Sequence, residues 1–162
     1  MSLKVEKKDK LKGKVSIPGD KSISHRAVIL SSLAEGKSKI KGFLESEDCL
    51  STVNAFRNLG VEIQKENSHQ YIVKGVGLNG LKEPENILDC RNSGTTMRLM
   101  LGLLSAQNFF SILTGDDSLR KRPMERIIKP LTRMGAHIWS RQGGYAPLSV
   151  MGSSLSGIDY KL

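Results

Sequence analysis

Two stretches of the chain repeat one order of apolar and polar positions. Residues 22–63 and residues 93–138 each open on a small polar cluster that runs into an apolar block. The blocks are Ala27–Leu30 with Leu33 in the first copy and Leu99–Leu104 in the second. A short strand ending at glycine follows each block, Ser38–Gly42 and Phe110–Gly115, and then an acidic pair, Glu47-Asp48 and Asp116-Asp117. A second helix ends in Asn58-Leu-Gly60 in one copy and Arg133-Met-Gly135 in the other, and strands Val61–Gln64 and Ala136–Ser140 continue them. Residues 70–74 and 145–151 read as closing strands, with Gly75–Pro84 as the linker between copies. A spacing of roughly seventy residues exceeds that of solenoid repeats and points to duplicated supersecondary units.

Spacing and punctuation support the helices. Asp48 suits an N-cap for Cys49–Leu59, with Leu50, Val53, Phe56 and Leu59 near one face. Pro123 suits the first turn of the next helix, where Met124, Ile127, Ile128, Leu131 and Met134 follow helical spacing. Pro130 lies inside that helix as a source of a kink, and Gly60 and Gly135 stand where C-caps belong. Met97–Leu104 is apolar all round except at Arg98, which predicts burial on every side.

Composition narrows the class. At 162 residues, 38% apolar and 25% charged, the chain is long enough for a domain with a real core. No apolar run approaches the roughly 18 residues of a membrane span, and the basic N-terminus lacks the apolar stretch of a secretory signal. Cys49 and Cys90 belong to no metal-ligand pattern and read as free thiols in a reducing cytosol. The net charge of +9 favours an anionic partner, although much of the excess sits in Lys4–Lys14. Aromatics make up only 5% and no basic run alternates with them, so small phosphorylated or carboxylated molecules fit better than nucleic acid.

Three clusters carry candidate chemistry. In Gly19-Asp-Lys-Ser-Ile-Ser-His-Arg26, a predicted strand over Lys14–Ile17 leads into a helix start bearing Lys21, Ser22, Ser24 and Arg26. These are donors suited to phosphate or carboxylate; a capped helix with solvated cations explains the segment alone equally well. His25 reads as a packed or capping residue. In Asn92-Ser-Gly-Thr-Thr-Met-Arg98, Gly94 permits close approach of a ligand to the backbone, and Thr95, Thr96 and Arg98 add donors. In Arg120-Lys-Arg-Pro-Met-Glu-Arg126, four cations at a helix start oppose the helix dipole, which favours an anionic ligand. Arg122, before Pro123, is expected to be extended and outside the helix.

The segments GDKSISHR, NSGTTMR and LRKRPMERI, in this order, resemble the N-terminal signatures of the 5-enolpyruvylshikimate-3-phosphate synthase family, and the likeness runs from about Lys10 to Leu162. The resemblance implies an α/β (α+β) fold of two repeated βαβαββ units, about 19–80 and 86–152, with buried helices and outer sheets. It implies that residues 1–18 belong partly to another domain and that 19–162 form part of an upper domain. By this resemblance Lys21 contacts both substrates at the reacting centre, and Ser22 and Arg26 hold shikimate 3-phosphate. Asn92, Gly94 and Thr95 line the phosphoenolpyruvate loop, and Arg122 binds phosphoenolpyruvate. Neither a metal nor an organic cofactor is implied. Glyphosate is implied as an inhibitor, with a cytoplasmic, monomeric full enzyme, no membrane partner and no nucleic acid. The sister transferase acting on UDP-N-acetylglucosamine carries a reactive cysteine in the loop that here reads Gly115-Asp-Asp-Ser-Leu-Arg120; a non-catalytic anion-binding module is the other alternative. Arg91 stands where many members have glycine, and Gly157–Leu162 matches a segment that continues into further substrate-binding parts in the family, so the chain reads as a fragment without activity of its own.

Overall fold

A computed structural model describes residues 3–7, 9–10 and 12–161. Met1, Ser2, Lys8, Leu11 and Leu162, which fall in the basic N-terminal stretch and the closing segment of the sequence reading, lie outside the described residues. The first unit contains α1 (Lys21–Leu33), β1 (Glu35–Lys41), α2 (Glu47–Asn58), β2 (Glu62–Asn67) and β3 (Gln70–Val76). The second contains β4 (Leu88–Asp89), α3 (Gly94–Leu104), β5 (Phe110–Thr114), a 3-10 turn at Leu119–Lys121, α4 (Glu125–Arg133), β6 (His137–Arg141) and β7 (Tyr145–Met151).

The duplication is visible in the pairing. The first sheet has the order β1-β3-β2 and the second β4-β5-β7-β6, so β5-β7-β6 repeats the first arrangement. All three-strand pairings within that motif are antiparallel. The repeat is unequal at its start. Leu88 and Asp89 pair parallel with Leu113 and Thr114, whereas the strand expected over Lys14–Ile17 does not form. Val15 and Ile17 are 81% and 80% exposed there, so no apolar burial holds that segment in a ladder. At Gly19 the chain passes so close to the backbone of Gly42 and Leu44, just after β1, that a side chain would collide with it.

Four other expectations change. Ser46, not Asp48, caps α2, its Oγ accepting from the Cys49 N–H at 3.4 Å. Pro123 lies outside α4, which begins at Glu125 after Met124. Gly75 belongs to β3 rather than to the linker, because the strand passes against the Ser31 and Ala34 carbonyls where only glycine fits. Finally, α3 is not buried on every side: Leu99 is exposed, as are Ile23 and Leu30 on α1.

The helices pack in sequence, α1 on α2, α2 on α3 and α3 on α4, with the sheets outside them. Val53, Phe56 and Leu59 of the α2 region meet a core continued by Val73, Met97, Met100, Leu101, Leu104, Leu113, Leu148 and Val150, all fully buried. Pro130 sits within α4, and Gly60 and Gly135 adopt the positive φ of 87° and 104° that ends a helix. This packing brings the N-terminal ends of α1, α2 and α3 together.

Candidate functional site

At the first helix start, Asp20 caps α1 by accepting from the Ile23 N–H at 2.7 Å. Ser24 Oγ, which donates to the Asp20 carbonyl at 2.7 Å, also accepts from the Leu44 N–H at 3.0 Å and so ties the loop after β1 to α1. Lys21 forms an ion pair with Asp48 from the first turn of α2. Its ammonium is thus held in place by a neighbour rather than extended into water. Ser22 and Arg26, four residues apart, share an exposed face of α1. His25 turns the other way and is 1% exposed, its Nδ1 lying 2.7 Å from Thr52 Oγ1. Burial pushes its pKa below the ordinary histidine value, with the nearby Asp48 carboxylate opposing that shift.

The second helix start is built by a loop with one residue in the left-handed region. Arg91 has φ 52°, its N–H donates to Asp89 Oδ1 at 2.8 Å, and its carbonyl accepts from the Asp116 N–H at 2.9 Å. Ser93 caps α3 by accepting from the Thr96 N–H at 3.1 Å. Asn92 donates through Nδ2 to Asp116 Oδ2 at 2.8 Å and accepts through Oδ1 from Arg122 Nη2 at 2.9 Å. Asp116 also accepts from the Leu119 N–H at 2.7 Å. The Asn92 and Leu119 bonds hold its carboxyl below the usual carboxylate range.

The third cluster divides. Arg120 pairs with Asp117, and Arg122 is extended (φ −93°, ψ 125°), as its place before Pro123 predicts. Arg120, Lys121 and Arg122 all precede α4, and Glu125 opens that helix, so the expected clash of four cations with its dipole does not arise. The helix dipole therefore gives this cluster no call for an anionic ligand, although Arg122 does reach the Asn92 loop.

Gly94 joins the pieces. A Cβ placed on it would lie 2.7 Å from Arg98 Nη1 and 3.6 Å from Arg122 Nη1, so the first turn of α3 faces two guanidinium groups. Free N–H groups at a helix start, together with two planar cation forks, are a receiver for a phosphate or carboxylate. Thr95 is half-buried beside it.

The structure thus gathers Asn92, Gly94, Thr95 and Arg122 at one point and sets Lys21, Ser22 and Arg26 on the neighbouring helix. Three residues complete this arrangement that sequence reasoning left out of the site. Asp48 fixes Lys21, Asp116 organises Asn92, and Arg98 stands over Gly94. The signal for the first two was present, since an acidic pair follows the first strand of both copies. Arg98 was read as one of the donors of the second cluster and as the one charge in an apolar helix, but was not carried into the site.

Known proteins resemble this chain over nearly its whole length. The family model for EPSP synthase (3-phosphoshikimate 1-carboxyvinyltransferase) matches residues 5–162. A 3-phosphoshikimate 1-carboxyvinyltransferase from Alkaliphilus metalliredigens is 55% identical over 98% of the chain and 37% of its own length. One from Thermoanaerobacter pseudethanolicus is 53% identical over all of the chain and 38% of its own length. The solved EPSP synthase of Acinetobacter baumannii superposes with a TM-score of 0.88 at 51% identity, covering 91% of this chain and 34% of that one. The chain therefore spans little more than a third of the length of these relatives.

Proposed function

The chain belongs to the EPSP synthase family, and from that premise we propose that the protein carrying it transfers the enolpyruvyl group of phosphoenolpyruvate to shikimate 3-phosphate. The observation that supports this reading most directly is the anion receiver at Gly94, where α3 presents its free end to Arg98 and Arg122. In this reading Asn92, Gly94, Thr95 and Arg122 take phosphoenolpyruvate, while Ser22 and Arg26 hold shikimate 3-phosphate. Lys21, steadied by Asp48, stands at the reacting centre between them.

The reaction adds a proton to the methylene carbon of phosphoenolpyruvate while the 5-hydroxyl oxygen bonds to C2 and gives up its proton. The resulting tetrahedral intermediate expels phosphate and loses a methyl proton, which restores the double bond in the product. Fixed cations neutralise the phosphate and carboxylate throughout and need no reorganisation at the moment of reaction. In the full-length protein the remaining groups come from outside residues 1–162, residues 1–18 lead toward a second domain, and glyphosate competes at the phosphoenolpyruvate subsite. The full enzyme acts as a cytoplasmic monomer.

The test is phosphate release by the full-length protein, dependent on both substrates. Arg122→Lys replaces a bidentate fork by a point charge and is expected to raise the KM of phosphoenolpyruvate, whereas Arg26→Ala raises that of shikimate 3-phosphate. Reversed effects would exchange the two anion sites; no turnover by the wild-type protein would end the reading.

A further inference from the structure

Beneath the two anion-receiving ends lies a chain of buried hydroxyl groups. His25 Nδ1 lies 2.7 Å from Thr52 Oγ1, which lies 2.8 Å from Thr96 Oγ1. Thr96 Oγ1 is also 2.9 Å from Ser51 Oγ, 2.8 Å from Ser93 Oγ and 3.3 Å from the Asp48 carbonyl oxygen. Ser51 in turn donates to that carbonyl at 2.7 Å. None of His25, Ser51, Thr52, Ser93 and Thr96 is more than 1% exposed.

The position of this chain in the fold is unusual. The two sheets share no strand. Among the described residues, every hydrogen bond between residues 21–76 and residues 88–151 runs through the single oxygen Thr96 Oγ1. Packing of α2 on α3 and β4 and the linker's bonds, Lys82 N–H to the Leu59 carbonyl and Gln107 Nε2 to the Leu78 carbonyl, are the other ties, and packing permits sliding more readily than directed bonds do. Thr96 stands two residues after Gly94, and Thr52 hands the connection to His25, one residue before Arg26.

We propose that Thr96, acting with Thr52 and His25, is a positioning residue that sets the first helix end against the second. It touches neither substrate. Its hydroxyl holds the start of α3 in register with α2 and, through Thr52, with α1, so that Lys21 on one unit meets a ligand held by Asn92, Gly94 and Arg122 on the other. The inference rests on the two-substrate reading above, because register between units matters to a reaction only when each unit holds one partner.

Each anion is bound largely within its own unit, whereas the reaction needs both units aligned. Thr96→Val keeps shape and removes the hydroxyl; Thr96→Ser keeps the hydroxyl and loses a methyl. In the full-length enzyme, Thr96→Val is expected to lower kcat at least about tenfold, since misplacement by about an ångström can cost that much or more. Both KM values should change by no more than about threefold, and Thr96→Ser should stay within about twofold of wild type on the same argument. Thr52→Val should share the kcat defect, and the Thr52→Val/Thr96→Val pair should cost little more than the larger single change, because both cut one chain.

Hydrogen exchange supplies a readout independent of turnover. Amides of residues 48–52 and 93–98 should exchange faster in Thr96→Val than in Thr96→Ser. A kcat for Thr96→Val within twofold of wild type, or an equal defect in Thr96→Ser, would overturn the proposal. If Thr96→Val does not fold, Thr52→Val against Thr52→Ser decides by the same criteria. If the wild-type enzyme does not turn over, the functional reading fails separately, and equal exchange in the Val and Ser variants still overturns the positioning role.

Discussion

Replacing Arg91 by glycine should stabilise the protein. Arg91 adopts φ 52°, in the region where a Cβ crowds the following carbonyl at a cost of about 1–2 kcal/mol. Glycine removes that strain but returns about 0.5–1 kcal/mol through its greater freedom in the unfolded chain. The side chain contributes little against this. Its approach to Asp89 is 3.7 Å between groups that are 69% and 56% exposed, and exposed pairs of that kind add almost nothing. The backbone bonds from Arg91 to Asp89 and from Asp116 to Arg91 survive the change. The net gain is therefore about 0.5–1 kcal/mol, equivalent to about 2 °C in Tm for a chain of this size. Urea unfolding should show a higher midpoint with an unchanged m-value. His69 provides the contrast: it also has positive φ, 60°, but its ring reaches the Phe43 carbonyl at 3.0 Å, so His69→Gly should lose that bond and gain less or nothing. An Arg91→Gly midpoint at or below wild type, with m unchanged, would refute the argument from strain.

Three further outcomes are expected. Gly152→Ala would drive a methyl group into the Gln107 carbonyl, backbone against backbone, and should cost about 3 kcal/mol or more; a mild loss in chemical denaturation would show that this junction yields easily. Gly94→Ala meets only the far ends of the Arg98 and Arg122 side chains and no backbone, so the melt should move little, while in the full-length enzyme the ratio of the glyphosate inhibition constant to the phosphoenolpyruvate KM should rise; an unchanged ratio would remove Gly94 from the subsite. His25 has a folded pKa below its unfolded value, so the unfolded chain takes up the proton first and stability falls as pH drops below about 6.5. Urea midpoints at pH 7.5 and 5.5 should therefore differ more for wild type than for His25→Asn, and equal differences would assign the acid sensitivity to other groups.

The helices and closing strands were legible because their apolar spacing is strong and glycine marks their ends. The strand over Lys14–Ile17 was legible as a pattern but not as a structure, since alternation alone does not supply a partner to pair with. Asp48 misled for a related reason. A carboxylate near a helix start reads as a cap, and only the packing of α1 on α2 reveals that Lys21 claims it while Ser46 caps the helix. Lys21, Asn92, Gly94 and Arg122 were singled out through motifs, yet their mutual geometry depends on Asp116 and on the α2–α3 contact. The Thr96 junction was least legible. Its partners are 44, 45 and 48 residues away in sequence, and a threonine after a glycine in a helix start carries no mark of a long-range role.

Because each sheet closes within its own half of the chain, the protein is divisible in a way that most two-layer folds are not. No strand ladder crosses residues 77–87. A cut there severs one peptide bond and leaves both sheets whole, converting the docking of α2 on α3 from an intramolecular step into the association of two pieces. In the intact chain the linker supplies an effective concentration in roughly the millimolar range and also packs on the fold, with Leu81 buried and the Lys82 N–H donating to the Leu59 carbonyl. Two separately expressed halves should reassemble when mixed at comparable concentration, and their affinity would measure the strength of the junction between units without any need to unfold either one.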